Sequence, residues 1–175
     1  MAAVPPRELR ERLASFTTGL GLDDLRVLPA EQLHVTVVFL GNVADAAIAE
    51  LAAEMASVTA AEPALTLELV NARPAPERRP RMLWAVLGRS DPLVRLSRSL
   101  HETARHAAPD RAKPLRGSPH ITLARYRRPL PGLSAMELPP MERRIDVTEL
   151  QLVRSNLSPK GARYETVSAL PLAPV

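Results

Sequence analysis

Apolar and polar residues follow one another along this chain at two spacings, and each spacing predicts one kind of element. Three segments repeat apolar residues every three or four positions, as one face of a helix does. The first follows Pro5-Pro6, because proline is tolerated in the first turn of a helix, and the second is the alanine-rich segment 45–57. The third segment begins at Pro92. We therefore predict three helices.

Other segments are short and apolar, or alternate between apolar and polar residues, and these predict strands. The predicted strands are residues 33–40, 65–69, 82–87, 120–126, 144–154 and 163–170. The proline- and arginine-rich segment 72–81 is predicted to form a basic loop. Because the strands come in pairs with helices between them, we predict an α+β fold with mostly antiparallel sheets.

Two of the predicted strands carry the same polar interruption. The sequence HVTV begins at His34 and HITL begins at His120, about half a chain length away. Alternate residues of a strand face the same side, so His34 and Thr36 share one face, as do His120 and Thr122. One such motif is common on a half-exposed sheet and means little. Two copies among the four histidines of the chain are too improbable to be a coincidence.

If both motifs face one cleft, two imidazoles and two hydroxyls surround a single point. Such a group can cleave a phosphoester without a metal ion. A neutral histidine accepts a proton from the attacking water, and a protonated histidine donates one to the leaving oxygen. Thr36 and Thr122 would bind the nonbridging phosphate oxygens.

Metal binding is the other interpretation of paired histidines. The remaining two, His101 and His106, lie five positions apart, a spacing that does not align ligands on one face of a helix. The chain has no cysteine, and neither motif contains an acidic residue. We therefore predict no metal site and no cofactor, and we assign His101 and His106 to a solvated helix face.

Composition adds bounds on size, compartment and ligand. A length of 175 residues predicts one domain over residues 1–175, and no apolar run approaches membrane-spanning length, so we expect a soluble, cytoplasmic monomer.

Of 23 basic residues only Lys113 and Lys160 are lysines. Arginine suits phosphate ligands, although a GC-rich genome produces the same bias. The first helix follows Ala2-Ala3-Val4 so closely that we expect a shortened first strand or a late start.

These residues resemble the two-histidine phosphoesterases, and within them the RNA 2′,3′-cyclic phosphodiesterases, also called 2′-5′ RNA ligases. Residues 32–41 are similar to the first motif of that family in its context, 82–86 to its central strand and 119–125 to its second motif. Residues 154–155 and 161–164 match its closing hairpin. The resemblance covers about residues 4–172.

The resemblance implies a bilobal α+β fold with pseudo-twofold symmetry, in which two antiparallel sheets face a central cleft and helices cover the outer faces. It also implies hydrolysis of RNA 2′,3′-cyclic phosphate ends to 2′-phosphates, with reversible 2′-5′ ligation as an associated reaction. By resemblance His34 is the proton donor, His120 is the proton acceptor and Arg125 helps to bind phosphate. Nothing in the sequence itself orders the two histidine roles.

The sequence departs from the family pattern near the second motif. Strict alternation from His120 points Arg125 to the opposite face, so a β-bulge or the end of the strand must redirect it. Gly117 stands where many members of the family carry an aromatic residue, and aromatics are only 3% of the chain. Two other hypotheses therefore stay open. One is a cyclic phosphodiesterase acting on a small nucleotide such as an ADP-ribose derivative, and the other is an RNA-binding module without turnover.

Overall fold

The computed structural model describes residues 1–105, 112–115, 117–127, 134–158 and 161–174. Its helices are α1 (Arg7–Gly19), α2 (Ile48–Ala60) and α3 (Asp91–Ala104). Its strands are β1 (Ala2–Ala3), β2 (Leu25–Val27), β3 (Val35–Thr36), β4 (Val38–Phe39), β5 (Leu65–Ala75), β6 (Met82–Leu87), β7 (Lys113–Pro114), β8 (His120–Tyr126), β9 (Arg144–Val147), β10 (Glu149–Ser158) and β11 (Gly161–Pro171). The predicted α+β class is confirmed.

The strands form two curled antiparallel arms. The first arm has the order β11-β10-β1-β3, and the second has the order β8-β6-β5-β9 with β2 paired to the free end of β8. The arms meet where Val35 of β3 pairs with Ile121 of β8. Strands β4 and β7 form a separate two-stranded sheet beside this junction. The two expected sheets are thus hydrogen-bonded to each other through the middle residues of the two histidine motifs.

The helices cover the face of the sheet opposite the two motifs. Each helix buries a stripe of apolar residues spaced three or four apart, such as Leu9 and Leu13 of α1. These stripes belong to the same core as Val35 and Ile121, neither of which is exposed. Burying one such side chain contributes about 1.5–3 kcal/mol to folding, so the core fixes which face of each motif points outwards.

One buried hydroxyl ties α3 to the strands next to the first motif. Ser97 Oγ donates to the Val37 carbonyl at 2.6 Å and accepts from the Leu115 amide at 2.7 Å. The α3 helix itself begins with Ser90, whose side chain accepts from the Leu93 amide at 3.3 Å. These bonds hold the helix against the β4–β7 pair.

Several predicted element boundaries were wrong, each for a tertiary reason. The predicted strand 33–40 is broken at Val37, because the chain leaves the main sheet there and pairs β4 with β7. The predicted basic loop 72–81 is partly strand, since β5 continues to Ala75 along β6. The predicted strand 144–154 is two strands, of which β9 pairs with β5 and β10 with β11. The short strands β2 and β7 were not predicted.

Among the helices that the structure describes, none is long and apolar enough to cross a membrane.

Candidate active site

Four polar side chains of the two motifs share one face of the β3–β8 junction. The antiparallel pair of Val35 with Ile121 sets His34 across from Thr122 and Thr36 across from His120. Residues directly opposite in such a pair face the same side, and diagonal neighbours lie about 7–8 Å apart. A local twofold axis therefore relates the two motifs, and both imidazoles can flank one phosphate.

Each histidine ring is anchored by the same local hydrogen bond. His34 Nδ1 lies 2.8 Å from the Gln32 carbonyl, and His120 Nδ1 lies 3.0 Å from the Ser118 carbonyl. A carbonyl oxygen can only accept, so Nδ1 donates in both rings. In the neutral form of each imidazole, the free lone pair is then on Nε2. This nitrogen is the one that can exchange protons with a ligand.

The turn before each histidine supplies the anchoring carbonyl. A single turn of 3₁₀ helix over Ala30–Gln32 precedes His34. Gly117, with φ of +73°, precedes Ser118. Left-handed backbone of this kind favours glycine, which accounts for Gly117 at a place where many members of the family carry an aromatic residue.

Burial lowers the pKa of both histidines. For His34 the cause is desolvation first, opposed by the hydrogen bond to Gln32, with repulsion from the N-terminal amine and then from His120 as further lowering effects. For His120 the cause is again desolvation first, opposed by the hydrogen bond to Ser118, and the nearby Arg73 guanidinium lowers it further. The electrostatic effect of His120 on His34 agrees with two rings that share one site.

An aromatic ring contacts each histidine, and the sequence did not reveal either contact. The Tyr164 ring meets His34 edge-on, with centroids 5.0 Å apart and planes at 75°. The Trp84 ring stacks on His120, with centroids 3.7 Å apart and planes at 15°. Both aromatics come from strands distant in sequence, so no local pattern could have identified them.

A β-bulge redirects Arg125 to the face that carries the histidines. Trp84 of β6 pairs with Thr122, but Leu83 pairs with Ala124, so Leu123 is an extra residue in β8. Leu123 and Ala124 are consecutively buried, and Arg125 is exposed. The bulge that the sequence required for Arg125 is therefore present. Arg125 Nη1 lies 3.8 Å from Met82 Sδ.

Arg73 is a further cation on this face, although its sequence predicted only a basic loop. It lies on β5 directly across from Trp84, which in turn lies across from Thr122. Its side chain is 29% exposed and forms an ion pair with Glu77 at 2.8 Å. The signal that could have located Arg73 was its strand register, which depends on pairing with β6.

The remaining candidate residues are placed as follows. Thr36 is exposed and Thr122 half-buried, both beside the histidines. His101 was expected on a solvated face, but its ring is half-buried and Nε2 lies 3.1 Å from the Ala112 carbonyl. His106 lies outside the described residues. Within those residues, no cluster of three or more histidine, aspartate or glutamate side chains could hold a metal ion.

A cavity of about 490 Å³ lies beside the first motif but does not reach His120. His34 and Thr36 line one end, and residues of β4 and β10 form its walls. Met1 and Ala2 also line this cavity. The face that both histidines share is instead the open surface of the β3–β8 junction.

Comparisons with known proteins assign the chain to a family. The model of the 2′-5′ RNA ligase superfamily matches residues 5–158. The chain belongs to this superfamily. It is 27% identical over 161 residues to a protein of Archaeoglobus fulgidus named RNA 2′,3′-cyclic phosphodiesterase, with 90% of each chain covered. A protein of Geobacillus stearothermophilus with the same name is 32% identical over 148 residues, but this superfamily member spans only 46% of its length.

Solved structures of other proteins share the fold. A crystal structure from Thermus thermophilus superposes with a TM-score of 0.82 at 27% identity, covering 98% of this chain and 95% of that one. Escherichia coli LigT complexed with 3′-AMP gives a TM-score of 0.75 at 25% identity, with the same coverage. The expected family and fold class are confirmed.

Proposed function

We propose that this protein hydrolyses RNA 2′,3′-cyclic phosphate ends to 2′-phosphates by general acid–base catalysis without a metal ion. The observation that carries the proposal is the pair of matched imidazoles, His34 and His120, on one face of the β3–β8 junction. Each is anchored through Nδ1, which leaves both Nε2 atoms available for proton transfer. The names of the curated relatives and the 3′-AMP complex of LigT support a nucleotide cyclic phosphate as substrate.

In the proposed reaction, water attacks the phosphorus atom in line with the bond to the 3′ oxygen. Neutral His120 accepts the proton of the water as the new P–O bond forms. Protonated His34 donates a proton to the 3′ oxygen as the P–O3′ bond breaks. The phosphate stays on the 2′ oxygen. At the end of the reaction His120 is protonated and His34 is neutral, so the pair still holds one proton.

The threonine hydroxyls and Arg125 bind the phosphate in this proposal. Thr36 and Thr122 lie beside the histidines across the twofold axis and can donate to the nonbridging oxygens. Arg125 adds a fixed positive charge on the same face, where it neutralises charge on the phosphate. If the 5′-hydroxyl of a second RNA strand replaces water, the same steps form a 2′-5′ linkage.

Two alternatives use the same fold. A small nucleotide cyclic phosphate would need the same donors and acceptors, and Arg73 next to His120 suits a polyphosphate as well as an RNA strand. An RNA-binding module without turnover would not need two imidazoles, each held with Nε2 free. We therefore place hydrolysis of an RNA end first and the small nucleotide second.

The experiment is an assay against a panel of cyclic phosphates. The panel contains an RNA oligomer with a 2′,3′-cyclic end, four nucleoside 2′,3′-cyclic phosphates and ADP-ribose 1″,2″-cyclic phosphate. Reactions are run with and without EDTA, and phosphorus NMR identifies the hydroxyl that keeps the phosphate. We expect turnover of the RNA oligomer, a 2′-phosphate product and no effect of EDTA.

Each deviation contradicts a separate part of the proposal. A 3′-phosphate product would mean that the leaving oxygen is the 2′ oxygen. Loss of activity in EDTA with recovery on added zinc or manganese would make the histidines metal ligands. Turnover of the ADP-ribose compound alone would favour the second hypothesis.

A further inference from the structure

The indole of Trp84 is the largest group in contact with either candidate catalytic histidine. Trp84 lies on β6 directly across from Thr122, so its side chain projects to the same face as His120. The two rings are nearly parallel, with planes at 15° and centroids 3.7 Å apart. This is the geometry of a face-to-face stack rather than of an incidental edge contact.

The twofold axis relates the two motifs, but the stack on His120 has no counterpart at His34. In the first arm, Ala2 lies across from Thr36, as Trp84 lies across from Thr122 in the second arm. The alanine has no ring to offer, and His34 meets Tyr164 edge-on instead. The two histidines therefore share the same anchor at Nδ1 but differ in what restrains the plane of the ring.

Core packing is the simpler explanation of a tryptophan in a central strand, but the structure argues against it. The neighbours of Trp84 on β6 that face the core, Leu83 and Ala85, are fully buried, whereas Trp84 is half-buried on the opposite, polar face. Its Nε1 atom is buried without a hydrogen-bond partner among the described residues. The indole ring thus lies on the polar face without a hydrogen bond to Nε1, and there it contacts His120 rather than the core.

We propose that Trp84 is a positioning residue, whose indole ring fixes the plane of the His120 imidazole so that Nε2 faces the reacting phosphate. A ring held only by the bond from Nδ1 to Ser118 can still rock about that bond. The stacked indole removes this freedom. The proposal rests on the proposed function, because it assigns Trp84 a part in that reaction.

The kinetic test compares Trp84→Leu with Trp84→Phe on the RNA cyclic phosphate. Trp84→Leu removes the stack, and we expect kcat to fall about 10- to 100-fold with KM changed less than about twofold, since misplacing a catalytic group costs turnover rather than affinity. Trp84→Phe keeps a ring and should retain kcat within about fivefold. Leu83→Ala, in the adjacent core position, is the control: it should lower the melting temperature but keep kcat per folded molecule.

Equal kcat values for wild type and Trp84→Leu would overturn the proposal. So would a loss in Trp84→Leu that Trp84→Phe does not recover, or a loss that Leu83→Ala reproduces. If Trp84→Leu does not fold, the phenylalanine variant and the following optical measurement decide the question.

The optical test needs no activity, because Trp84 is the only tryptophan of the chain. A protonated imidazole in contact with an indole quenches its fluorescence by accepting an electron from the excited ring. We expect emission to rise as pH rises and His120 loses its proton, with the transition absent in His120→Gln and present in His34→Gln. The other charged groups that face this site are Arg26, Arg73, Arg125, His34 and the Met1 amine. All of them remain in His120→Gln, so a transition lost in that variant belongs to His120.

A transition that survives in His120→Gln, or no transition in wild type, would show that the two rings do not stack in solution. Failure of the proposed function gives a different pattern. In that case the wild-type protein hydrolyses none of the cyclic phosphates, yet the fluorescence transition and its dependence on His120 remain.

Discussion

At the scale of single residues, the site depends on how two imidazoles are held. Each Nδ1 is bound to the carbonyl two residues earlier, so each ring has one defined tautomer when neutral. Burial then lowers the pKa of both rings. In the free enzyme, the singly protonated pair that donor–acceptor catalysis requires is therefore populated mainly below the ordinary histidine pKa of 6.5.

Replacing either His34 or His120 with alanine should reduce kcat about 10²- to 10⁴-fold, about 3–5 kcal/mol of barrier. The double variant should lose far less than the product of the two effects, because the residues act as one unit. Steady-state rates on an RNA cyclic phosphate measure this. His101→Gln is the control, since His101 binds the Ala112 carbonyl outside the site and its loss should leave kcat unchanged. Near-normal hydrolysis by either alanine variant would rule out the two-histidine mechanism.

The pH dependence of kcat/KM should be a bell centred below the ordinary histidine pKa of 6.5. Activity falls on the acid side when the acceptor is protonated, and a lowered pKa moves that limb to lower pH. Activity falls on the alkaline side when the donor loses its proton, and a lowered pKa moves that limb to lower pH as well. The bell for kcat should lie at higher pH, because bound phosphate favours the protonated donor.

The residual activity of the single variants assigns the two limbs. Removing His120 should abolish chiefly the acid limb, and removing His34 chiefly the alkaline limb. The reverse result would keep the site intact but exchange donor and acceptor. A bell centred well above 6.5 would show that burial does not set the pKa values of the two histidines in the free enzyme.

At the scale of elements, the irregular features of the strands aim the side chains. The bulge at Leu123 turns Arg125 to the catalytic face, and the left-handed Gly117 sets the carbonyl of Ser118 under His120. A regular β8 would have sent Arg125 into the helix-covered face. These local departures from regular geometry are therefore functional parts of the strand.

Replacing Arg125 with glutamine should raise KM for the RNA cyclic phosphate about 10- to 100-fold, the value of one charge-assisted hydrogen bond of about 1.5–3 kcal/mol. Steady-state kinetics at constant ionic strength measure the change. Arg89→Gln is the matched control, because Arg89 is an exposed arginine that pairs with Asp91, the first residue of α3. Equal effects of the two substitutions would mean that net charge, and not the redirected side chain, is responsible.

Gly117→Ala should lower the free energy of unfolding by about 1 kcal/mol, because alanine at φ of +73° is strained even though its Cβ would meet no atom within 4 Å. Gly19→Ala is the control: the space around it is equally open, but the residue is the last of α1 and has helical backbone. That substitution should stabilise by about 0.5–1 kcal/mol. Urea denaturation measures both, and a stabilising Gly117→Ala would mean that the turn is not left-handed in solution.

At the scale of the whole molecule, two arms meet at one pair of residues. Val35 and Ile121 are fully buried, and the helices pack behind both arms in one continuous core. The site lies on the other side of this junction, so the relative position of the arms fixes the distance between the histidines. The arms cannot separate without breaking the core that they share.

We therefore propose that residues 1–175 unfold as one domain in a single transition. Trp84 fluorescence reports on the second arm, and hydrogen exchange of β10 and β11 reports on the first. With far-UV circular dichroism as a third probe, all three should give the same urea midpoint. Earlier loss of protection in β10 and β11 would instead make the first arm a separate unit.

The sequence predicted the placement of some residues of this site correctly and of others wrongly. Alternation placed His34 with Thr36 and His120 with Thr122, and it showed that Arg125 needed a bulge to reach them. It failed at Arg73, which was assigned to a loop, and at His101, which was assigned to a solvated face. Both errors concern residues whose surroundings come from a distant strand or loop.

By itself, the sequence determined what local chemistry can encode: the helix spacing, the two motifs, the side of each strand that carries the polar residues and the α+β class. Only the tertiary structure decided the pairing of Val35 with Ile121, the stack of Trp84 on His120 and the extra residue in β8. The physical reason is that periodicity acts between neighbours in sequence. Register, stacking and bulges are set by which strands meet, and the burial of the whole core selects that arrangement.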